Sequence, residues 1–517
     1  MIKDLELTIL PDSINDQQNI LKQISNELKL SIKRILGFTI DKRSIDARSK
    51  ITVYRIKVKV YIDEAAPAAQ TFHSEYKNVK DKPVVLVIGA GPAGIFAALR
   101  LIELGLKPIV LERGKDVKTR RRDLAAINKE GVVNPESNYC YGEGGAGTYS
   151  DGKLYTRSTK RGDVNKVLET FVAYGATDDI LIDARPHIGT NKLPQIIVAM
   201  RESILNAGGE VHFDTKVIDF DVEFGAIKQV KTNNGSFKAD HVILATGHSA
   251  RDIFYLLHQK NILIEAKAFA LGVRIEHPQT LIDKAQYRCE VRHDNLPPAY
   301  YSLVEQVNGR GAFSFCMCPG GIIAPCATDH NEIVVNGWSP SKRNNPYANS
   351  GTVVQVNLED IKNGFDDPLA ALKFQQQIEQ TAFNVAGGSL KAPAQRMVDF
   401  VNKKVSTNLP DCSYLPGIVS ADLYTVLPAF VTESLKQALP LFDKKMRGYF
   451  TNEAVLVGVE SRTSSPVRIP RDKETLQHPQ VKGLYPCAEG AGYAGGIVSA
   501  AIDGIKCAEA AFTAING

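Results

Sequence analysis

The segment VVLVIGAGPAG, residues 84–94, constrains the fold more than any other part of the sequence. Its first five residues are continuously apolar, which is typical of a parallel strand covered on both faces. Gly89, Gly91 and Gly94 have the G-x-G-x-x-G spacing, and a helix is predicted from Pro92 to Leu104. The first glycine permits a tight turn, the second lets the backbone approach a pyrophosphate, and the third lets the helix pack close to the strand. The segment therefore predicts a strand–turn–helix unit that binds a dinucleotide.

An acidic residue follows where such a unit holds a ribose. Glu112 ends the next predicted strand, KPIVLERG, 18 residues after Gly94, and an acid in this region of the motif binds ribose hydroxyls. The N–H groups and the positive dipole end of the predicted helix face the phosphates. The neighbouring residues assigned to the same site are Ala90, Pro92, Ala93, Arg113 and Gly114. The glycine spacing does not by itself separate NAD from FAD.

Composition limits the class of protein. Of 517 residues, 44% are hydrophobic and 23% charged, as in soluble globular proteins, and the length predicts more than one domain. The net charge of +5 is too small at this length to indicate a nucleic-acid binder. No apolar run reaches the roughly 18 residues that span a bilayer, and the acidic N-terminal segment does not resemble a signal peptide. We expect a cytoplasmic protein without membrane contact, whose eight cysteines are free thiols.

The first part of the chain has the pattern of a separate α+β domain, residues 1–70. IKDLELTIL and ITVYRIKVKVYID alternate as strands, whereas DQQNILKQISNELKL has helical spacing. Residues 71–81 are predicted to be a linker. Between Lys29 and Lys59 there are ten Lys or Arg and two acids. A basic face can bind RNA, but few aromatic residues accompany it, and alternating lysines also keep an exposed sheet soluble.

Three distant stretches resemble the FAD proteins of the glutathione-reductase-like superfamily. They are GAGPAG with LERG, HVILATGHSA at 241–250, and GLYPCAEGAGYAGGIVSAAIDG at 483–504. The resemblance implies that FAD is the cofactor. It also implies that Glu489 binds a ribityl hydroxyl. Gly495, Gly496 and Ile497 are expected to begin a helix that faces the isoalloxazine carbonyl, where its dipole stabilises reduced flavin. The other residues assigned to FAD are Gly144, Gly145, Gly147, Val217, Ala245, Thr246 and Gly247.

A closer resemblance covers nearly the whole chain. YGEGGAGTYSDGKL (141–154), HIGTNKL (187–193), FCMCPGG (315–321) and ESRTSSPVRI (460–469) are similar to a family of uncharacterised FAD-dependent dehydrogenases. This resemblance implies an α/β protein with a Rossmann-like FAD domain assembled from 82–250 and 470–517. An α+β substrate domain, 251–469, is inserted between them. No second glycine fingerprint is found in 251–480, so NAD(P)H, if used, is expected to bind transiently.

Cys316, Cys318, Cys326 and His330 lie close together in the sequence. Three interpretations remain open. The spacing matches zinc sites poorly, a thiol pair that exchanges electrons with flavin usually has other spacings, and free cysteines are often simply buried. Cys316 and Cys318 are retained as catalytic candidates, and no metal is predicted.

Other catalytic candidates come from the segments that the resemblance covers. Ser150, Asp151 and Lys153 follow a glycine-rich stretch and are predicted to line a pocket. The segment ESRTSSPVRI supplies Arg462, Ser464, Ser465 and Arg468, and its two arginines beside hydroxyls are predicted to clamp a substrate carboxylate or phosphate. Arg462 and Ser464 are the catalytic candidates of this segment. Solvated ion pairs are the alternative for the arginines. His187 is a candidate proton donor or a structural hydrogen-bonding residue.

The sequence therefore predicts an FAD-dependent oxidoreductase that transfers hydride at flavin N5 to or from an unidentified small molecule. The alternative is an RNA-directed or non-catalytic flavin-binding protein that uses the basic N-terminal domain.

Overall fold

The computed structural model describes residues 1–68, 71–72, 75–156 and 162–517. The predicted domain boundary at residue 70 and part of the predicted linker 71–81 lie outside the described residues. The end of that linker is packed rather than free, because Val79 is 1% exposed and its N–H donates to the Ala207 carbonyl at 2.8 Å.

Residues 1–62 form a three-stranded antiparallel sheet with one helix. The elements are β1 (Ile2–Ile9), α1 (Gln17–Leu28), β2 (Ile35–Asp46) and β3 (Val53–Ile62), with sheet order β1-β3-β2. Asp16 caps α1 by accepting a hydrogen bond from the Asn19 N–H at 3.0 Å, which satisfies one of the free donors at the helix start. The apolar residues that alternate along β3 are buried, and they belong to the same core as the inserted domain.

The next segment alternates strands and helices, as the sequence predicts. Its elements are β4 (Val84–Ile88), α2 (Pro92–Glu103), β5 (Lys107–Leu111), α3 (Val117–Glu130), α4 (Val164–Ala173), α5 (Asp179–Ile182), α6 (Leu193–Asn206), β6 (Glu210–His212), β7 (Val217–Glu223), β8 (Ala226–Thr232), β9 (Gly235–Lys238), β10 (Val242–Leu244) and α7 (Arg251–Gln259). Strands β7, β8 and β9 form a separate antiparallel sheet.

The inserted segment is built around a seven-stranded sheet of order β13-β14-β17-β12-β20-β18-β19. Its elements are β11 (Glu265–Ala266), β12 (Phe269–Pro278), α8 (Gln279–Tyr287), β13 (Val304–Val307), β14 (Arg310–Cys318), β15 (Ile322–Pro325), β16 (Val335–Trp338), β17 (Tyr347–Val356), α9 (Ala370–Val385), β18 (Ala392–Arg396), α10 (Met397–Val401), β19 (Ile418–Ser420), α11 (Ala429–Lys445), β20 (Val455–Glu460) and β21 (Val467–Arg468).

The chain then returns to the first sheet through β22 (Leu484–Pro486) and α12 (Ile497–Asn516). The five-stranded parallel sheet has the order β22-β10-β4-β5-β6, so a strand from near the C-terminus pairs with β10. This confirms the predicted α/β class with a Rossmann-like domain assembled from discontinuous segments. Because all these strands are parallel, their carboxyl ends share one edge, which is where ligands bind in such sheets.

Across the described residues, none of the helices is both long and apolar enough to cross a bilayer.

Candidate active site

One cleft at the carboxyl edge of the parallel sheet collects most of the residues assigned to the cofactor. Those that line it are Gly89, Gly91, Pro92, Ala93, Glu112, Arg113, Gly145, Gly147, Val217, Ala245, Thr246, Gly247, Glu489, Gly496 and Ile497. Those that do not are Ala90, Gly94, Gly114, Gly144 and Gly495. Segments more than 350 residues apart thus meet around one space, as the resemblance implies.

The three glycines after β4 have different roles. A Cβ on Gly89 would lie 2.4 Å from the Ala245 carbonyl oxygen, and one on Gly94 would lie 1.8 Å from the Gly89 carbonyl oxygen. These two glycines are therefore required by the packing of the chain itself. A Cβ on Gly91 would meet nothing closer than 3.9 Å. The space beside Gly91 is left open toward the cleft, as close approach of a pyrophosphate requires.

The Glu112 carboxylate forms hydrogen bonds with three loops beneath the cleft. It accepts backbone hydrogen bonds from the N–H groups of Ala90, Gly114 and Gly142, each at 2.9 Å. Glu112 is buried and still lines the cleft. It therefore fixes the turn that precedes α2, and its contact with a ribose stays a prediction.

Two helix N-termini are directed at the cleft. Gly91 is the N-cap of α2, and Gly496 is the N-cap of α12. Gly496 has a φ of +82°, a conformation that glycine adopts without strain. Because unpaired N–H groups and the positive dipole end lie at each N-terminus, the cleft offers two places suited to negative charge.

Glu489 lies on the cleft wall, and its contact with a ribityl hydroxyl stays a prediction. Its Oε1 is 3.3 Å from His248 Nδ1. A Cβ on Gly495 would lie 3.0 Å from that same oxygen, so Gly495 makes room for Glu489 rather than for a ligand. The next loops also pack closely, since a Cβ on Gly490 would lie 2.6 Å from the Gly247 carbonyl oxygen.

These features fit FAD. The open space at Gly91 and the start of α2 suit its diphosphate, whereas Glu489 and the start of α12 suit the ribityl chain and the flavin ring. The glycine loop, Glu489 and the second helix N-terminus lie along one cleft, so a single elongated dinucleotide can use all of them.

Sequence reasoning missed several residues at the Arg113 end of the cleft. Arg113 donates to Asp252 at 2.8 Å and to Glu136 at 2.7 Å, and its guanidinium lies 4.2 Å from the Tyr141 ring centroid. Tyr141, Lys216 and Asp252 all line the cleft. Only Tyr141 belongs to a stretch that the resemblance singled out, so no pattern in the sequence marked the other two.

Cys316 faces the cleft from the inserted domain. It lies where the pairing of β14 with β17 shifts register, and its φ is +47°, a conformation that is uncommon for residues other than glycine. Its Sγ is 3.8 Å from Lys153 Nζ, and Lys153 also donates to the Met317 carbonyl. A hydrogen bond from the Cys318 thiol, together with Lys153 and Arg274, holds the pKa of Cys316 well below its usual value although burial opposes this.

The other residues of the cysteine cluster have different surroundings. Cys318 is buried behind the cleft wall, and its Sγ lies 3.3 Å from the Cys316 carbonyl oxygen. Cys326 is buried in a separate apolar cluster, and His330 is exposed. Among the described residues, these four side chains do not form a group at metal-ligand distances. Ser150, Asp151 and Lys153 do line the cleft, as predicted.

Cys487, Asp503 and Cys507 do lie within 4.8 Å of one another. Arg471, however, donates to both oxygens of Asp503, at 2.9 and 2.7 Å, and the Ala488 N–H donates to it at 2.7 Å. Because a guanidinium already neutralises this carboxylate, the group is unsuited to a metal cation.

Arg462 does not have the predicted role of a substrate clamp. It is buried at the cleft wall, and it bonds to Glu379, Glu332, Thr328 and Ser249 through five hydrogen bonds of 2.7–3.3 Å. A guanidinium has five N–H donors, so none is left for a substrate. Arg462 instead neutralises two buried carboxylates.

Ser464 and His187 do not line the cleft in the described structure. His187 Nε2 lies 3.2 Å from the Ser341 carbonyl oxygen. Burial, followed by the charge of Arg343, lowers the pKa of His187 to about 4. The structure therefore supports the structural alternative for His187 rather than proton donation to a substrate.

Comparisons with known proteins agree with this geometry. Residues 83–253 match the family model of pyridine nucleotide-disulphide oxidoreductases, residues 268–463 match that of the C-terminal domain of FAD-dependent proteins, and residues 1–61 match a domain of unknown function. The chain thus carries the domains of an FAD-dependent oxidoreductase.

Solved structures show weaker similarity. A geranylgeranyl bacteriochlorophyll reductase-like protein from Thermoplasma acidophilum is 14% identical, with 84% of this chain and 79% of that chain covered and a TM-score of 0.36. Glycine oxidase from Geobacillus kaustophilus is 10% identical, with 84% and 95% covered and a TM-score of 0.35.

One relative is similar over almost the whole of this chain. An uncharacterized protein of Clostridium beijerinckii is 41% identical over 519 residues, with 96% of each chain covered. The chain therefore belongs to the family of this Clostridium beijerinckii protein.

Proposed function

We propose that this protein transfers hydride between the N5 atom of bound FAD and a small molecule held between the FAD domain and the inserted domain. One observation carries the proposal: Cys316 of the inserted domain lines the same cleft as Gly496 and Ile497, which begin α12. A substrate that enters this cleft therefore contacts both domains.

The protein's part is to hold and orient the cofactor. Gly91 and the N-terminus of α2 would bind the diphosphate of FAD, Glu489 would bind its ribityl chain, and the N-terminus of α12 would face its flavin ring. FAD, when bound, supplies hydride transfer at N5. The start of α12 favours negative charge on the ring through its dipole.

The substrate side of the cleft has a mixed character. Phe315 supplies an apolar surface that excludes water, whereas Cys316, Asn336 and Lys153 supply polar contacts. Asp151 is paired with Arg343 at 2.8 Å and lies 3.9 Å from Lys153. Because Asp151 already has Arg343 as a partner, the ammonium of Lys153 is only partly neutralised and favours a substrate with an anionic or electron-rich group.

NAD(P)H is proposed as a transient electron donor. The sequence between residues 251 and 480 has no second dinucleotide fingerprint, so a nicotinamide has to reach the flavin through the open cleft. The test is to mix the oxidised holoenzyme anaerobically with NADH or NADPH and to follow the flavin absorbance. Bleaching by either cofactor is expected, and flavin that stays oxidised with both would remove NAD(P)H as donor.

Variants test the substrate side separately. Lys153→Met and Cys316→Ser are expected to slow the reduction or reoxidation of the bound flavin by its physiological electron donor or acceptor. FAD is expected to remain bound in both variants. Cys289→Ser is the matched control, because Cys289 lies outside the cleft. Wild-type rates in both cleft variants would contradict the proposed position of the substrate.

A further inference from the structure

A second groove lies away from the cleft, between the N-terminal domain and the inserted domain. It is lined by the end of β2 with its following residues, α8, residues 300–302 and the end of α11 with its following loop, and it encloses about 1420 Å³. Small-molecule sites are typically about 300–1,000 Å³ and mostly apolar. This groove is larger and more polar, so its dimensions suit an extended polar ligand.

The groove is strongly basic. Its lining includes two carboxylates, Glu6 and Asp46, and eight cationic side chains. The cations are Arg48, Arg55, Arg185, Lys284, Arg288, Lys444, Lys445 and Arg447, and all eight are exposed. The resulting formal charge of +6 exceeds the +5 of the whole chain. The excess positive charge of the protein is therefore concentrated here.

Some of these cations have partners and others do not. Arg48 and Arg55 share Asp46, at 2.7 and 3.5 Å. Lys284 pairs with Glu290 and Lys445 pairs with Glu305, both at 2.7 Å. Within the part of the chain that the structure describes, Arg288, Lys444 and Arg447 have no ion-pair partner, so their charge is available to a ligand.

The kind of cation also indicates the ligand. Five of the eight are arginines, whose planar fork matches phosphate oxygens. The Arg185 guanidinium lies 3.4 Å from the Tyr300 ring centroid, and Tyr300 and Phe450 are half-buried in the lining. Aromatic rings and stacked guanidinium groups are the surfaces on which unpaired bases stack.

The walls of the groove are held in place by contacts between domains. Arg43 in β2 pairs with Asp179 at 2.9 Å and with Asp183 at 2.7 Å. The Tyr54 hydroxyl donates to the Asn295 carbonyl at 2.5 Å. The N-terminal domain is thus fixed against both neighbouring domains. The walls of the groove are therefore already in position before a ligand binds.

We propose that this groove binds a single-stranded nucleic acid through its phosphates, with Arg288, Lys444 and Arg447 as the free cations. A concave basic groove can surround a single nucleic-acid strand, whereas the flat face of a membrane does not fit into it. The inference stands independently of the oxidoreductase proposal, because the groove shares no lining residue with the flavin cleft.

The test measures fluorescence anisotropy of a labelled 12-nucleotide oligouridylate with the flavin-loaded full chain. Three phosphate contacts predict a roughly 20-fold loss of affinity between 50 and 200 mM salt, from a slope of about −0.7 per phosphate for single strands. The triple variant R288E/K444E/R447E is expected to weaken binding at least about tenfold and to flatten the salt dependence.

The matched control is a second triple variant that changes the net charge by the same amount at positions outside the groove. Lys118, Lys362 and Lys473 are exposed and lie outside the groove, so K118E/K362E/K473E is expected to leave affinity within about twofold. Equal weakening by both triples would overturn the proposal, as would the absence of salt-dependent binding. Inorganic polyphosphate that binds while the oligonucleotide does not would also overturn it. Flavin content and NADH reduction, measured on the same variants, report on folding and on the flavin site separately.

Discussion

Gly504 in α12 lies against the carbonyl oxygen of Ala93 in the first turn of α2: a Cβ at position 504 would be 2.0 Å from that oxygen. The two helices whose N-termini face the cleft are therefore in direct backbone contact. The contact therefore joins the first turn of α2 to the middle of α12.

Gly504→Ala is expected to destabilise the protein. The added methyl group has to displace backbone rather than a flexible side chain, and overpacking of this kind typically costs about 1–3 kcal/mol. Urea unfolding of the flavin-loaded protein measures the loss. Thr513→Ala, at an exposed position of the same helix, should change the free energy of unfolding by less than about 0.5 kcal/mol. An equally small effect of Gly504→Ala would contradict the close contact between the helices.

Gly91→Ala is expected to weaken FAD binding without unfolding the chain. The new methyl group would meet no protein atom closer than 3.9 Å but would occupy the space predicted for the diphosphate. We expect a roughly tenfold or greater rise in the FAD dissociation constant, equivalent to about 1.4 kcal/mol or more.

Gly311→Ala is the matched control for that change. Its methyl group would lie in ordinary contact distance, 3.6 Å from Gln306 Nε2, on a strand of the inserted domain. Its FAD affinity should equal that of the wild type. An unchanged dissociation constant for Gly91→Ala would show that the diphosphate lies elsewhere.

Cys316 is expected to be the thiol that iodoacetamide alkylates fastest in the apoprotein. The hydrogen bond from Cys318 and the charges of Lys153 and Arg274 lower its pKa, whereas burial raises the pKa of Cys289, and the thiolate is the reactive form. Mass spectrometry of peptides at pH 7 compares the two rates. Lys153→Met should slow alkylation of Cys316, and bound FAD should protect it. Equal rates at Cys316 and Cys289 would contradict the lowered pKa.

His187 is expected to contribute to acid sensitivity. The folded protein keeps His187 neutral down to its lowered pKa of about 4, whereas an unfolded chain takes up the proton near pH 6.5. The stabilisation is therefore present above pH 6.5 and is lost as the pH falls toward 4.

Between pH 7 and pH 5 this residue should remove about 2 kcal/mol of unfolding free energy. His187→Gln should make the measured decrease smaller by that amount. The expectation fails if the wild type and the variant lose stability in parallel over this range.

The sequence predicts the parts of the site that depend on neighbouring residues. The tight turn at Gly89 and the open space at Gly91 follow from one short motif. The position of Glu489 in the cleft follows from the resemblance of its surroundings to a known segment, and its contact with FAD stays a prediction. Both kinds of prediction use short stretches in which spacing determines geometry.

The predictions that failed concern side chains whose contacts lie far away in the sequence. Arg462 was predicted to bind substrate, but Glu332 and Glu379, 130 and 83 residues away, occupy its donors. Lys153 reaches Cys316 across 163 residues. Such pairs are created by the fold, and no periodicity or motif in a single sequence marks them.

The most direct test of the account is a crystal structure of the full chain with FAD. It should show the diphosphate against Gly91 and the start of α2, Glu489 at the ribityl chain, and the flavin ring beside the start of α12 and Cys316. A protein that takes up no FAD, or a complex in which the flavin does not contact residues 489–497, would contradict the claim that two distant segments build one flavin site.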